Sequence, residues 1–193
     1  MRVVPGQMKL DSYVDMGVLV ALDLVNRTSL ATPLNPATTV NAPLLRDVLA
    51  ADPASAHAVS RRHVPAFAAL AESLHGVLEA LVAGDDDRAA PALNALFRRS
   101  PAHPHLAKED GRWRLHHHPP EAELVPMWTS ICAESISRLL SAGHIDRFHA
   151  CADPRCARFY FDATRPGTRR SCSTTCQNRI KAATLRSGRR QAK

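Results

Sequence analysis

The chain has 193 residues, of which 45% are hydrophobic and 22% charged, and its formal net charge at pH 7 is +7. This length fits one compact body with a small appendage, and five cysteines are too few for a disulfide scaffold. No continuous apolar run reaches the roughly 18 residues that span a bilayer. The segment nearest to that, residues 16–25, is interrupted by Asp23. We therefore expect a cytoplasmic protein that lacks a signal peptide and has no membrane partner.

Apolar residues at helical spacing predict that most of the first 145 residues are α-helical. The predicted helices cover residues 13–25, 43–51, 54–63, 65–83, 85–97 and 121–142. Pro65 suits the first turn of its helix, so the segment before it is predicted to be a separate helix. Residues 85–87 provide an N-cap and an acidic first turn. Pro91 is compatible with that helix only if it lies in the first turn.

Three polar residues, Asp23, Asn26 and Arg27, stand at the end of the otherwise apolar first helix. Two interpretations are open. They form local hydrogen bonds with the polar groups at the end of the helix, or they bind a small-molecule effector. No nucleophile–base pair, Gly-rich phosphate loop or pair of carboxylates stands out along the chain, so we do not expect an enzyme.

Between residues 101 and 119 the apolar residues no longer follow the helical spacing. Residues 105–108 and 112–117 flank an Asp110-Gly111 dipeptide, which is typical of a β-hairpin with a tight turn. Three consecutive histidines follow at positions 116–118. Successive side chains on a strand point to opposite faces, so these three cannot converge on one ion. His103 and His105 lie nearby without a Cys or Glu to complete a ligand set, and we interpret the segment as a solvated strand.

Four of the five cysteines form two close pairs, Cys151-x4-Cys156 and Cys172-x3-Cys176, with fifteen residues between them. Each pair closes a small ring on an ion, and the intervening turn joins the pairs, as a tetrahedral Zn(Cys)4 site requires. Two disulfides and four unrelated thiols are the alternatives, and iron is the alternative metal. We predict one structural Zn2+. The fifth, Cys132, lies in an apolar helical pattern and is predicted to be a core thiol.

The residues around the cysteines predict a finger of the treble-clef or zinc-ribbon type. Residues 158–161 are predicted to form a strand, 165–168 a turn and 169–172 the returning strand. Ser173 or Thr174 then caps a helix that runs to about residue 186, which places Cys176 in a first turn where the helix dipole favours a thiolate. Phe159 and Phe161 share a strand face and are predicted to form a small core under the metal.

Basic residues are concentrated in the same region. Residues 151–193 contain 11 Lys and Arg but two Asp, a net charge of +9, whereas the preceding 150 residues carry −2. A basic end on a nearly neutral body indicates a polyanion partner, usually nucleic acid; a basic tail that only aids solubility is the alternative. The predicted nucleic-acid contacts are Arg169, Arg170, Asn178, Arg179, Lys181, Arg186, Arg189 and Arg190. Asn178 and Arg179 are equally candidates for bracing the zinc loops.

The finger and parts of the body resemble a known bacterial family. The pattern Cys-x4-Cys…Phe-x-Asp…Arg-Arg-x-Cys-x3-Cys-x-Asn-Arg, which ends at Arg179, resembles the CGNR zinc finger. Gln177 replaces the signature Gly, and Ser171 replaces the usual Trp. Residues 21–26 and 93–96 resemble segments of the family's ABATE domain. The resemblance implies a stress-induced transcriptional regulator whose finger binds DNA and whose body senses a ligand.

The predicted fold is therefore mainly α (α+β). Residues 1–145 form a helical, ABATE-like body with one β-hairpin, 146–188 the zinc finger, and 189–193 a basic disordered tail. We expect a zinc-containing regulator that binds double-stranded DNA. Because one finger contacts too little surface for tight binding, we also expect a homodimer or a protein partner. The alternatives are a protein-interaction module with a purely structural zinc, and an RNA or single-strand binder.

Overall fold

The computed structural model describes residues 16–28, 39–100, 103–109 and 111–191. In chain order the elements are α1 (Met16–Thr28), α2 (Ala42–Val48), α3 (Pro53–Ala58), a 3-10 turn (Arg61–His63), α4 (Val64–Val82), α5 (Asp86–Arg99), β1 (His105–Glu109), β2 (Arg112–His116), α6 (Leu124–Ser141), a 3-10 turn (Ile145–Arg147), β3 (Phe148–Ala150), β4 (Phe159–Phe161) and α7 (Thr174–Gln191). The mainly helical prediction is confirmed. The first helix was predicted over residues 13–25, of which 13–15 lie outside the described residues.

Helix α5 begins at the predicted cap, where Asp85 accepts a hydrogen bond from the backbone N–H of Arg88 at 2.9 Å. The prediction for Pro91 is wrong, because this residue lies in the second turn of the helix. Proline removes one helical hydrogen bond there. The buried side chains of Leu93 and Leu96 hold this helix against the core despite that loss.

The core of the body lies between α1, α4, α5 and α6, with α1 packed on α4 and α6, and α5 on α4 and α6. Gly17 permits the close approach of α1 to α6. A Cβ at this position would lie 2.3 Å from Ser135 Oγ and 2.7 Å from the backbone oxygen of Ile131. Any larger residue at position 17 therefore pushes the two helices apart.

Helix α4 with its preceding 3-10 turn, Arg61–Val82, is apolar and long enough to cross a membrane by length and composition alone. Our expectation that residues 16–25 come nearest to such a segment is wrong. The face of α4 that contains Phe67, Leu74 and Leu78 lies in the core, and core helices of ordinary globular proteins pass the same test.

Strands β1 and β2 pair antiparallel, from His105 opposite His116 to Glu109 opposite Arg112. This register leaves a two-residue connection, as predicted. Gly111 has a φ of 77°, which the mirror-image turns of tight hairpins require. Asp110 lies outside the described residues.

Strands β3 and β4 pair antiparallel, with Phe148 opposite Phe161. The predicted partner of β4, residues 169–172, does not form a strand. Its backbone groups are used elsewhere: the N–H of Arg169 donates to the Asp162 carboxylate at 2.8 Å, and the N–H of Cys172 lies 3.4 Å from Cys151 Sγ. Helix α7 reaches Gln191, so the backbone at residues 189–191 is helical rather than part of a disordered tail; residues 192–193 lie outside the described residues.

The prediction that Phe159 and Phe161 form a separate core under the metal is also wrong. Both side chains, with Phe148, belong to the hydrophobic core of the body. The rings of Phe148 and Phe161 are 5.0 Å apart, and Phe159 meets His75 of α4 edge to face at 5.5 Å. Strand alternation places Tyr160 on the opposite side, where its hydroxyl donates to the backbone oxygen of Arg169 at 2.6 Å.

Candidate metal centre and nucleic-acid interface

The four cysteines come from three pieces of backbone. Cys151 and Cys156 lie in the knuckle, residues 151–158, that connects β3 to β4. Cys172 lies in the loop before α7, and Cys176 lies in the first turn of α7. Ser173 caps that helix as predicted, since its Oγ accepts from the N–H of Cys176 at 3.2 Å.

The four thiol groups have the spacing of a tetrahedral zinc site. Their sulfur atoms all lie within 4.8 Å of one another, with 3.7 Å between Cys156 and Cys172 and 3.6 Å between Cys172 and Cys176. A Zn–S bond of about 2.3 Å gives a tetrahedron with edges of about 3.8 Å. These separations are far longer than a disulfide bond of about 2.05 Å, and all four cysteines are free. The donor set therefore fits one structural Zn2+, and this prediction is confirmed.

Two of the four thiols have a raised pKa and so resist ionisation in the absence of a cation. Burial raises the pKa of Cys156, and burial together with the neighbouring sulfurs raises that of Cys172. Burial has the same tendency at Cys151, but hydrogen bonds from the backbone N–H groups of Cys172 and Asp153 outweigh it and lower the pKa. Zinc deprotonates the thiols that bind it, so metal binding and formation of the finger are coupled.

Arg179 connects α7 to the first knuckle. Its Nε donates to the nearly buried carboxylate of Asp153 at 2.5 Å, and its Nη2 lies 2.9 Å from Cys176 Sγ. The hydrogen bond from Arg179 lowers the pKa of Asp153. These contacts match one of the two roles predicted for Arg179, that of bracing the zinc loops.

Asp162 organises the loop that carries Cys172. Its carboxylate is fully buried and accepts from the N–H and Oγ1 of Thr164, at 2.9 and 2.6 Å, and from the N–H of Arg169. Burial tends to raise the pKa of Asp162, but these hydrogen bonds outweigh it and lower the pKa. The guanidinium of Arg169 in turn donates to the backbone oxygens of Ser171 and Cys172. It also stacks over the ring of Tyr160 at 5.1 Å.

A groove of about 870 Å³ lies between the loop of residues 164–173 and the first half of α7. It is lined by Ala152, Thr164, Pro166, Thr168, Arg169, Arg170, Ser171, Ser173, Thr174, Gln177, Ile180 and Lys181. Five of these residues have a hydroxyl group and three are cationic. None of the described lining residues is acidic.

The predicted nucleic-acid contacts separate into two groups. Arg169 and Arg179 hold the finger together, whereas Arg170 and Lys181 are exposed at the groove. Asn178 and Arg186 are exposed on α7 but do not line the groove. The side chains of Arg189 and Arg190 lie outside the described residues.

The three candidate ligand-binding residues at the end of α1 have partners within the protein. The amide of Asn26 pairs with the backbone of Phe159, accepting from its N–H and donating to its oxygen, each at 2.8 Å. Arg27 forms an ion pair with Asp23 at 2.9 Å and lies 3.9 Å from Asp47. Asn26 thus joins α1 to the finger, and effector binding at these residues stays a prediction.

Sequence reasoning did not anticipate the roles of Asp153, Asp162 and Tyr160. One signal for the two carboxylates was available, because they are the only acidic residues among residues 151–193. Acidic residues in so basic a segment are candidates for buried partners of arginine or of backbone N–H groups.

Residues 147–190 match the family model of the CGNR zinc finger. The resemblance of the finger to this family is therefore confirmed, and the match covers the elements from β3 to α7. The likeness of residues 21–26 and 93–96 to an ABATE domain stays a prediction. No curated protein matches the chain.

Proposed function

We propose that this chain, whose residues 147–190 carry a CGNR zinc finger, is a transcriptional regulator that binds duplex DNA through the groove beside α7. The supporting observation is the composition of that groove: exposed Arg170 and Lys181, the exposed hydroxyl-bearing residues Thr168 and Thr174, and no acidic residue among the described lining. Hydroxyls, cations and backbone N–H groups are the usual partners of DNA phosphates.

The intramolecular contacts of the finger explain why these two cations are the best candidates. Arg169 and Arg179 make hydrogen bonds that stabilise the fold, so a phosphate would have to compete with existing partners. Arg170 and Lys181 both line the groove, the first on the loop before α7 and the second on α7. Gln177 lies one helical turn before Lys181 and is suited to contact a base edge, as glutamine does with adenine.

The aromatic residues favour a duplex over a single strand. Binding of unpaired bases relies on exposed rings on which bases stack. Phe148, Phe159, Tyr160 and Phe161, the Phe and Tyr residues of the described finger, are all buried. The finger therefore lacks a stacking platform, and its attraction to nucleic acid is expected to come from the phosphates.

Fluorescence anisotropy with a duplex, the matching single strand and the matching RNA, at two salt concentrations, tests the proposal. We expect preference for the duplex and a steep decrease in affinity with salt. Arg170→Ala and Lys181→Ala should each reduce the slope of log K against log salt by about 0.9. Arg88→Ala, which removes an exposed cation from the body, is the matched control.

Two further outcomes would contradict this function. Equal affinity for unrelated polyanions would support a protein-interaction module, and tighter binding of RNA or of the single strand would support the third alternative. Cys172→Ser, which removes a zinc ligand, should abolish duplex binding; a variant that still binds normally would separate DNA binding from the finger.

An effector of the proposed regulator has a second candidate site in the body, apart from the three residues at the end of α1. A cavity of about 440 Å³ lies between α4, α5 and α6, with Leu70, Leu96 and Val125 among its apolar residues and Arg99 and Glu123 among its charged ones. This volume and mixture are typical of small-molecule sites. Small molecules that raise the melting temperature of the wild type should fail to do so in Ala69→Trp, which fills the cavity. Unchanged responses would exclude this site.

A further inference from the structure

The β1–β2 hairpin brings together three histidines that are separated in the sequence. We infer that His105, His116 and His118 form a second metal site, which takes one transition-metal ion of the zinc class. This inference is independent of the proposed DNA binding and of the four-cysteine site.

The distances between the rings carry the inference. His105 lies directly opposite His116 in the antiparallel register, and their ring centroids are 5.3 Å apart. His118 lies 5.3 Å from His116 and 5.9 Å from His105. A metal–nitrogen bond of about 2.1 Å places each imidazole centroid about 3.2 Å from the ion, so tetrahedral ligands have centroids about 5.2 Å apart. The observed triangle is close to this size.

Two of the rings have a carbonyl oxygen beside Nδ1, which favours the tautomer that binds a metal through Nε2. Nδ1 of His118 lies 2.9 Å from the backbone oxygen of Pro119, and Nδ1 of His105 lies 3.4 Å from that of His103. A carbonyl oxygen can only accept, so the 2.9 Å contact favours the tautomer of His118 in which Nδ1 carries the hydrogen, and the longer contact of His105 favours it weakly. In the neutral imidazole, Nε2 then has the lone pair. Such a bond from the second nitrogen to a carbonyl is a usual feature of metal-binding histidines.

The direction of the side chains at the end of β2 and in the bend that follows it decides which histidines take part. His117 points away from the other two, and its Nε2 lies 3.3 Å from Glu134 Oε1 on α6. The three consecutive histidines therefore do not converge, as the sequence indicated. The ligand set combines residues i and i+2 with a residue of the neighbouring strand, a combination visible only once the register is known.

Metal binding requires a small rearrangement. Among the described residues, the four cysteines alone already present their ligand atoms within 4.8 Å of one another. The three histidines are half-buried side chains at the open end of a hairpin, where rings turn readily about χ2. Three neutral nitrogens leave a fourth position for water, and imidazole ligands favour Zn2+, Ni2+ or Cu2+ over Mg2+ and Ca2+.

Isothermal titration of the full chain with Zn2+, after elemental analysis shows one zinc per chain in the finger, tests the site. We expect one additional Zn2+ per chain and no binding of Ca2+. His118→Gln and His105→Gln should each weaken the additional site at least tenfold while the zinc of the finger is retained. His103→Gln, which keeps the backbone oxygen that holds His105, should bind as the wild type does.

The inference fails if the wild type binds no additional Zn2+, or if Ca2+ binds equally well. It also fails if His103→Gln weakens binding as much as His118→Gln, because the ion would then be shared among surface histidines. Proton NMR of the imidazole Cε1–H signals gives a second measurement: Zn2+ should shift three of them in the wild type. Signals that move for other histidines instead would overturn the assignment.

Discussion

Replacement of Asn26 should detach the finger from α1 and destabilise the whole chain. The side-chain amide forms two 2.8 Å hydrogen bonds with the backbone of Phe159, 133 residues away in the sequence. Phe159 lies in β4 with its side chain in the core. In Asn26→Ala, the backbone N–H and oxygen of Phe159 both lose this partner in a partly buried region.

The expected magnitude follows from the two groups that lose their partners. A buried donor or acceptor without a hydrogen bond costs about 1–3 kcal/mol. Because these two hydrogen bonds are partly buried, the lower half of that range applies to each group, and Asn26→Ala should lower the free energy of unfolding by about 2–4 kcal/mol. For a chain of this size, each kcal/mol shifts the melting temperature by about 2–4 °C. Asn26→Asp keeps an acceptor for the N–H but places a carboxylate oxygen opposite the backbone oxygen, so it should not restore stability.

Urea unfolding of the zinc-loaded protein measures the loss, with Asn94→Ala as the control because Asn94 is an exposed residue of α5. The control should change the free energy of unfolding by no more than about 0.5 kcal/mol. We also expect a chelator to remove zinc faster from Asn26→Ala than from the wild type. A loss no larger than that of the control, with unchanged zinc release, would refute the idea that this residue holds the two parts together.

Three other perturbations test separate contacts. Arg179→Ala removes the bonds to Asp153 and to a ligand sulfur, and should weaken zinc binding about 10–100-fold in competition with a chelator; unchanged affinity would contradict its bracing role. Asp162 has a lowered pKa, so its contribution to stability is present above the unfolded value near 4 and is lost as the pH falls through the folded value. The difference in urea stability between the wild type and Asp162→Asn should accordingly be constant from about pH 8 to 5 and shrink below about 4, whereas a difference that persists in acid would exclude ionisation as its cause. Gly17→Ala should lower the stability measured by thermal unfolding by about 1–3 kcal/mol through overpacking. Gly76→Ala on α4, where a Cβ meets nothing within 4 Å, is the control and should be neutral or stabilising. Equal effects of the two substitutions would show that the α1–α6 contact is not tight.

The sequence was most informative where the determinants are local. Thiol spacing predicted the metal centre, helical periodicity predicted the helices, and the Ser173 cap follows from residues within one turn. The errors concern contacts between distant segments. Strand β4 has three residues, all buried, so alternation gave no sign of which face meets the body or that β3 is its partner.

The same limit applies to side chains with more than one plausible partner. Arg179 is equally suited to a phosphate and to a carboxylate, and only the position of Asp153 across the knuckle decides between them. Asn26 ends a helix in the sequence and gives no sign of a strand that follows more than a hundred residues later. Histidines 105, 116 and 118 likewise become neighbours only through the hairpin register.

The three phenylalanines of β3 and β4 have a consequence for how the protein can be divided. Cut out as a fragment, the metal-binding segment would present Phe148, Phe159 and Phe161 to water, and the remaining helices would have an apolar gap. Each piece would be prone to aggregate, even with the ion bound. We accordingly expect loss of the ion to destabilise the helical half as well. The intact chain would then be either folded with its metal or unfolded without it.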